Sequence, residues 1–518
     1  MNIKTLLHYA LPVAALFLLH GAQANNIQVT NTTTTFNSGT QVTVQFDISW
    51  ENSWRGGGVA NWDAAWVFVK YRMPSGLWQH VRLATSGHTA PTGAVIAHQT
   101  MDPFYAHDAM INPVVGAFVH RDASGSGNWS VVGVQLAWDY GAYGINPIDI
   151  AEVRVYAIEM VYVPQGAFAI GTGGGEYQSF TLTTINTANA QTVPSGSGLL
   201  GGAAGGYPSG ATPPTSALWP NGYGAFYCMK YEVSQQAYVD FLNTLTYTQQ
   251  GARTASAPSS AAGTGALSVL NDNRNSLDIQ VPGVVGITPA RYACNIDGDG
   301  VFGEANDGTD IACNFMSWGD LGAYLDWSGL RPMTEMEFEK ACRGTTLPLP
   351  GEHPWGQATV NNTIYNLVNS GQPTEQIGNG YSTTTGNVLM FQTSGFNSGP
   401  LRCGIFAGNA GNTGRVTAGA SYYGIMEMAG NVLERTISLG NATGRTFLGA
   451  NGNGDISASG THTSPTWPPA ATAEGAGFRG GSWVAPAQSI LTSNRLDANN
   501  VIATRNLETG GRGVRSAP

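Results

Sequence analysis

The clearest pattern along the chain is strict alternation. In "VTVQFDISW" (42–50), Val42, Val44, Phe46, Ile48 and Trp50 fall on one face, with polar residues between them. That period of two marks a strand with one face in a core. "AWVFVKYRM" (65–73), "WSVVGVQLAW" (129–138) and "VRVYAIEM" (153–160) are further expected strands, and Gly, Asn and Pro runs between them supply the turns. Residues 25–159 therefore read as an all-β domain, with an Ig-like β-sandwich as the expected architecture. Beyond it the period changes. In "FYCMKYEVSQQAYVDFLNTLT" (226–246) a strand leads into a helix capped by Ser234, and Tyr238, Phe241, Leu242 and Leu245 recur at helical spacing. "MSWGDLGAYLDWSGLRPMTEMEFEKACRG" (316–344) contains two capping boxes, Ser317 with Asp320 and Thr334 with Glu337, each expected to open a helix. Two stretches lack either period. Residues 194–216 are rich in Gly, Pro and Ser, and residues 251–267 are small and polar; both read as insertions into a second domain spanning 160–518.

The first 24 residues are of another kind. Lys4 precedes a mostly apolar run from Leu6 to Leu19, and Ala22-Gln23-Ala24 has the small-x-small form of a cleavage site. This is the pattern of a secretory signal, so the chain is expected to be exported, to a periplasmic, cell-surface or extracellular address. No later segment is apolar enough to span a bilayer, so no membrane span is expected after signal cleavage. Composition agrees with export: charged residues are 11% of the chain and Gly residues number 69, which suits a loop-rich protein with a polar rather than charged surface. The formal net charge of −10, with no Lys/Arg cluster, argues against a nucleic-acid partner.

Candidate chemistry is sparse. The five cysteines, Cys228, Cys294, Cys313, Cys342 and Cys403, include no C-x-x-C pair, which speaks against a zinc site. His80, His88, His98, His107 and His120 all lie in the first domain at spacings that pair none of them on a strand or helix face. They read as scattered structural or surface residues. "CNIDGDGVFGEANDGTDIAC" (294–313) is more suggestive. Asn295, Asp297 and Asp299, followed by Gly300, match positions 1, 3, 5 and 6 of an EF-hand-like calcium loop. Position 12 falls on Asn306, with Asp307 one residue late and Glu304 two early. Clustered carboxylates repel one another without a cation, so structural calcium is expected here. Cys294 and Cys313 bracket the loop and are a disulfide candidate; the pairing of Cys228, Cys342 and Cys403 stays open.

From Met160 onward a series of motifs occurs in order: "MVYVPQGAFAIGT" (160–172), the 226–246 and 316–344 segments, "PWG" (354–356), "YGIMEMAGNVLERT" (423–436), "FRGGSW" (478–483) and the ending "GGRGVRSAP". Together they resemble the formylglycine-generating enzyme, or sulfatase-modifying factor, family. The resemblance implies an α+β, loop-rich, C-type-lectin-like fold for 160–518. In the family's oxidases two cysteines, five residues apart, follow the Gly-Gly-Ser-aromatic motif and bind copper(I), a soft ion suited to thiolates. Here Arg479, Gly480, Gly481, Ser482 and Trp483 preserve the scaffold motif, but the two cysteine positions are Ala485 and Ile490. No copper is expected. A second branch of the superfamily uses non-haem iron held by a histidine cluster, and this region offers only His353 and His462. The family's "GNVWE" segment contributes a structural calcium site. The matching residues here are Gly430 to Glu434, with Asn431 and Glu434 as oxygen donors and Leu433 in place of the usual Trp; a loop brace without metal is the alternative.

Three functions follow. The leading one is an exported, non-catalytic protein that binds an extracellular ligand, glycan or protein, mediates adhesion, or joins a surface assembly by self-association. The second is an enzyme of the same superfamily with altered oxidoreductase chemistry, for which Arg495, Asp497, Arg505 and Glu508 are polar candidates. The third is a retroelement-diversified ligand-binding protein, with Val484–Asn494 as exposed, variable positions.

Overall fold

The computed structural model describes residues 26–37, 40–57, 60–99, 114–188, 216, 218–268, 273–391 and 398–518. The proposed leader, His107 and nearly all of the 194–216 insertion lie outside the described residues. The first part of the chain forms eight strands: β1 (Gln28–Phe36), β2 (Val42–Arg55), β3 (Asp63–Arg72), β4 (Trp78–His80), β5 (Ala94–Ala97), β6 (Ala117–Arg121), β7 (Gly125–Trp138) and β8 (Glu152–Val163). The strands expected at 42–50, 65–73, 129–138 and 153–160 are present. The alternation in β2 does what it promised, since Val42, Val44, Phe46, Ile48 and Trp50 are all buried and the residues between them are not.

One sheet has the order β1-β2-β7. Its apolar face packs with Val67 and Val69 of β3 and Ala117 and Val119 of β6 into one core. The second sheet is larger and carries the whole architecture. Its order is β19-β11-β8-β3-β6-β5, with β4 beside β3. Here β11 (Phe226–Met229) and β19 (Val514–Ser516) come from the second part of the chain. Strand β8 pairs with β3 over Glu152–Val161 and with β11 over Met160–Val163. The domain boundary expected at 159/160 thus falls inside a single strand. The physical reason lies in β3, which is buried on both faces. Ala65, Val67 and Val69 face the sandwich core, while Ala64, Trp66 and Phe68 enter the core of the second part. A strand covered on both sides reads as a continuous apolar run rather than an alternating one.

Polar contacts reinforce this joint. Lys70 is buried and its Nζ donates to the carbonyls of Trp327 and Gly454 at 2.7 and 2.6 Å. The Trp66 indole donates to the Ser328 carbonyl at 2.7 Å. Lys230 forms buried ion pairs with Asp63 and Glu159.

The second part holds β9 (Phe168–Ile170), β10 (Thr183–Ile185), α1 (Gln235–Leu242), α2 (Tyr247–Arg253), β12 (Leu277–Val281), β13 (Arg291–Cys294), α3 (Trp318–Ser328), β14 (Met333–Thr334), α4 (Glu335–Arg343), β15 (Asn366–Val368), β16 (Gln376–Asn379), β17 (Glu434–Ile437) and β18 (Ala476–Arg479). Long loops connect them, as an α+β, loop-rich fold requires. The caps are those expected. Ser234 accepts from the Ala237 amide at the start of α1, and reciprocal capping boxes open α3 (Ser317, Asp320) and α4 (Thr334, Glu337). Tyr238, Phe241, Leu242 and Leu245 all enter the core. The 251–267 stretch departs from its reading as a polar insertion. It begins in α2, its Gly263 and Ala266 amides donate to the Ile279 and Leu277 carbonyls, and Ala266 and Leu267 are core residues. No helix among the described residues is long and apolar enough to cross a membrane.

Candidate functional site

The Arg479–Trp483 motif ends β18 and turns on two left-handed glycines, Gly480 (φ +83°) and Gly481 (φ +68°). A side chain at Gly481 would be strained by that φ and would meet Ile490 and Ala485, whose carbons lie 2.7 and 3.2 Å from the position of a Cβ. The two positions that hold thiolates in the family's oxidases therefore face each other across this turn. Here they belong to an apolar cluster with Trp355, Val388, Met390 and Ala429, and Ile490 is completely buried. His353 lies beside it, stacked on Trp355 with ring centroids 4.5 Å apart. Burial pushes its imidazole down to about 4, so it is neutral at physiological pH. Val484–Asn494 is mixed: Pro486 and Gln488 are exposed, whereas Ala485, Ile490, Thr492, Ser493 and Asn494 are buried.

Beneath the motif lies a buried charge network. Arg479 binds Glu335 and Glu339 at 3.2 and 3.0 Å and donates to the Thr492 carbonyl at 2.6 Å. Arg495 binds Glu335 at 2.6 Å, and Arg343 binds Glu339 and Glu352. Burial raises the pKa of the Glu335 carboxyl, but Arg495 and Arg479 outweigh it and hold that pKa below the usual glutamate value. Two of the remaining polar candidates are also committed to scaffold: Arg505 pairs with Asp320, and the Ser482 hydroxyl donates to Glu508. Asp497 contributes its backbone carbonyl, which accepts from the Phe478 amide.

Asn431 and Glu434, the calcium donors that the resemblance implied, are each engaged by protein groups. Asn431 sits at φ +58°, its oxygen accepts from the Leu401 amide at 2.8 Å, and its amide donates to Glu232. Glu434 instead takes the Arg512 guanidinium at 2.6 Å. The Arg512 guanidinium engages one Glu434 oxygen, while the other, Oε2, is buried with no hydrogen-bond partner. Burial raises the neighbouring Glu427 carboxyl to about 7.

In the 294–313 loop the structure redistributes the expected ligands. Asn295 is buried, its amide donating to Asp278 and its oxygen accepting from the Gly300 amide. The carboxylates of Asp297 and Asp299 meet that of Glu304, which sequence position had set aside. Cys294 and Cys313 are free buried thiols, as are Cys228, Cys342 and Cys403. The bracketing disulfide is therefore absent. Both halves of the candidate pair belong to the main apolar core, and burial raises the pKa of each thiol well above its ordinary value. Two histidines do approach, contrary to the spacing argument: the rings of His88 and His98 meet edge to face at 4.8 Å.

A cleft of about 380 Å³ lies between β2 and the second part of the chain, and no sequence pattern announced it. Trp54 and Asn61 line one wall, with Lys230, Arg415, Tyr422 and Tyr423 opposite. The Trp54 indole donates to Asn61 at 2.8 Å, and the Lys230 ammonium lies 5.0 Å from the Trp54 ring. Tyr422 is 36% exposed and meets Tyr423 edge to face, and the Tyr423 hydroxyl is buried with no hydrogen-bond partner. These residues come from three distant segments, so no local pattern could have gathered them.

No match was found among curated proteins. The profile of the sulfatase-modifying factor enzyme 1-like domain matches residues 150–517, a span that begins at the start of β8 and takes in the Arg479–Trp483 turn, the charge network beneath it and the closing strand β19. On that match, over more than half its length, the chain belongs to the sulfatase-modifying factor family.

Proposed function

We propose that this protein is an exported, non-catalytic member of its family that binds an extracellular ligand, with a glycan as the best-suited class. One observation carries the reading. The two positions that would hold copper(I) thiolates are an alanine and a fully buried isoleucine packed against each other beneath Gly481. Neither side chain can ligate a soft metal or form a redox thiol. The leader-like N-terminus supports export. The inter-segment cleft supports ligand binding: the part-exposed rings of Trp54 and Tyr422 beside the Asn61 amide and the Arg415 guanidinium match a sugar's apolar ring faces and hydroxyls. Incubating the purified protein with copper(I), oxygen and a cysteine-containing peptide should yield no aldehyde product; turnover would overturn the non-catalytic assignment. On a glycan panel the protein should retain at least one class of sugar, and Tyr422→Ala should abolish that retention. An empty panel, or retention untouched by Tyr422→Ala, would remove the glycan reading.

A further inference from the structure

The cleft between β2 and the second part of the chain has a one-sided charge. Lys230, Arg415, two aromatic rings and several side-chain amides line it, with no Asp or Glu among the described lining residues. Its two cations differ. Lys230 is neutralised within the protein, its ammonium 3.3 Å from Asp63 and 2.9 Å from Glu159. Arg415 meets carbonyls only. Its Nη2 donates to Pro354 at 2.7 Å and to Cys342 at 3.4 Å, and its Nε to Ala420 at 3.4 Å. Among the described residues no carboxylate pairs with it, and its Nη1 is neither hydrogen-bonded nor sealed from water. The guanidinium lies 5.5 Å from the Tyr422 ring. Burial pulls its pKa below the usual guanidinium value, as expected of a cation that has given up water without meeting an anion. On the other wall, the Asn61 oxygen accepts from the Trp54 indole, so its amide nitrogen, unpartnered among the described residues, is left to donate.

We infer that the glycan this cleft takes is anionic, with the Arg415 guanidinium meeting a carboxylate or sulfate ester while Trp54 and Tyr422 meet the sugar ring. The inference rests on the cleft being a glycan site and adds the charge of its ligand. Uronates and sulfated sugars share the relevant chemistry: each presents acceptor-only oxygens carrying a negative charge, which a guanidinium and an amide nitrogen satisfy with charge-assisted hydrogen bonds. A neutral sugar would leave the guanidinium without an anion while taking away more of its water, and a cationic one would be repelled. Overall attraction is not the source of such binding. The chain's formal net charge is −10, which disfavours polyanions everywhere except where a local cation is unmatched.

The test adds to the glycan panel pairs matched except for the charged group, titrated calorimetrically into the full-length protein. Oligogalacturonate against its methyl ester is the carboxylate arm, and sulfated against unsulfated dextran oligosaccharide is the sulfate arm. In at least one arm the charged member should bind ~10-fold or more tightly than its neutral partner, and that arm identifies the source of the charge. Two variants should each erase the difference. Arg415→Gln can still donate to the Pro354 carbonyl, and Asn61→Asp can still accept from the Trp54 indole while adding a negative charge. Melting of both checks that they are folded. A preference unchanged in folded Asn61→Asp or folded Arg415→Gln would overturn the inference. So would the absence of any preference for a charged member. Neutral sugars bound through Tyr422 would then leave the glycan reading standing, whereas an empty panel would remove that reading as well.

Discussion

Replacing Glu427 by Gln should remove a defined part of the protein's pH dependence. Glu427 is buried at φ +49°. Its Oε1 accepts from the Gly404 amide at 2.9 Å, and its Oε2 is buried without a partner. Burial raises its carboxyl most; Arg512, the Gly404 amide and Arg402 pull it back, Glu434 adds to the rise, and the net position is about 7 against an ordinary 4.5. Between those two values the folded protein keeps a proton that the unfolded chain has released. Stability from this group is therefore complete below about 4.5 and is lost as pH rises toward about 7. At ~1.4 kcal/mol per pH unit the interval amounts to ~3 kcal/mol. Glutamine preserves the shape and can still accept from Gly404, but it does not titrate. Urea unfolding of both proteins at several values from pH 4.5 to 7.5 should show the wild type losing ~3 kcal/mol relative to Glu427→Gln across that range. Asp240, Asp310 and Asp326, each raised by burial to about 6, titrate with the same sign in both proteins and cancel in the difference. Parallel curves with a constant offset would refute the reasoning, because Glu427 would then be ionised throughout and held by its arginine neighbours.

Arg479→Met should cost ~3–5 kcal/mol in the same unfolding assay, because it leaves the buried Glu335 and Glu339 short of a partner while conserving bulk over Phe338; a loss below ~1 kcal/mol would mean that Arg495 and Arg343 suffice. Thiol titration should find no reactive cysteine in the native protein and five in denaturant without reductant, since all five are buried and burial raises every thiol, that of Cys228 to about 12. A count of three in denaturant would instead show that a bridge has formed.

Much of the fold was legible because local physics decides it. Alternation fixed which face of β2 is buried, since a strand's side chains point to opposite sides whatever surrounds them. The caps at Ser234, Ser317 and Thr334 were readable because orphaned first-turn amides need an acceptor within three residues. The loss of the thiolate pair was also a matter of sequence: Ala485 and Ile490 cannot ligate copper in any fold. The loop at 297–307 lay between these cases. Its carboxylates were visible as a group, but that Glu304 meets Asp297 and Asp299 depends on how the loop folds back.

Tertiary structure alone decided the rest. That β8 belongs to both parts of the chain follows from pairing with β3 and β11, partners far apart in sequence. That Glu434 meets Arg512 depends on a contact across 78 residues. The cysteines' fate turned on burial rather than spacing. The Trp54–Tyr422 cleft exists only because three separate segments converge. The sequence by itself determined the family scaffold, the element types and the missing soft-metal ligands, because each depends on residues within a turn or two of one another. Only folding decided where charges are neutralised and where a ligand has room, because both depend on which distant groups exclude water from the same place.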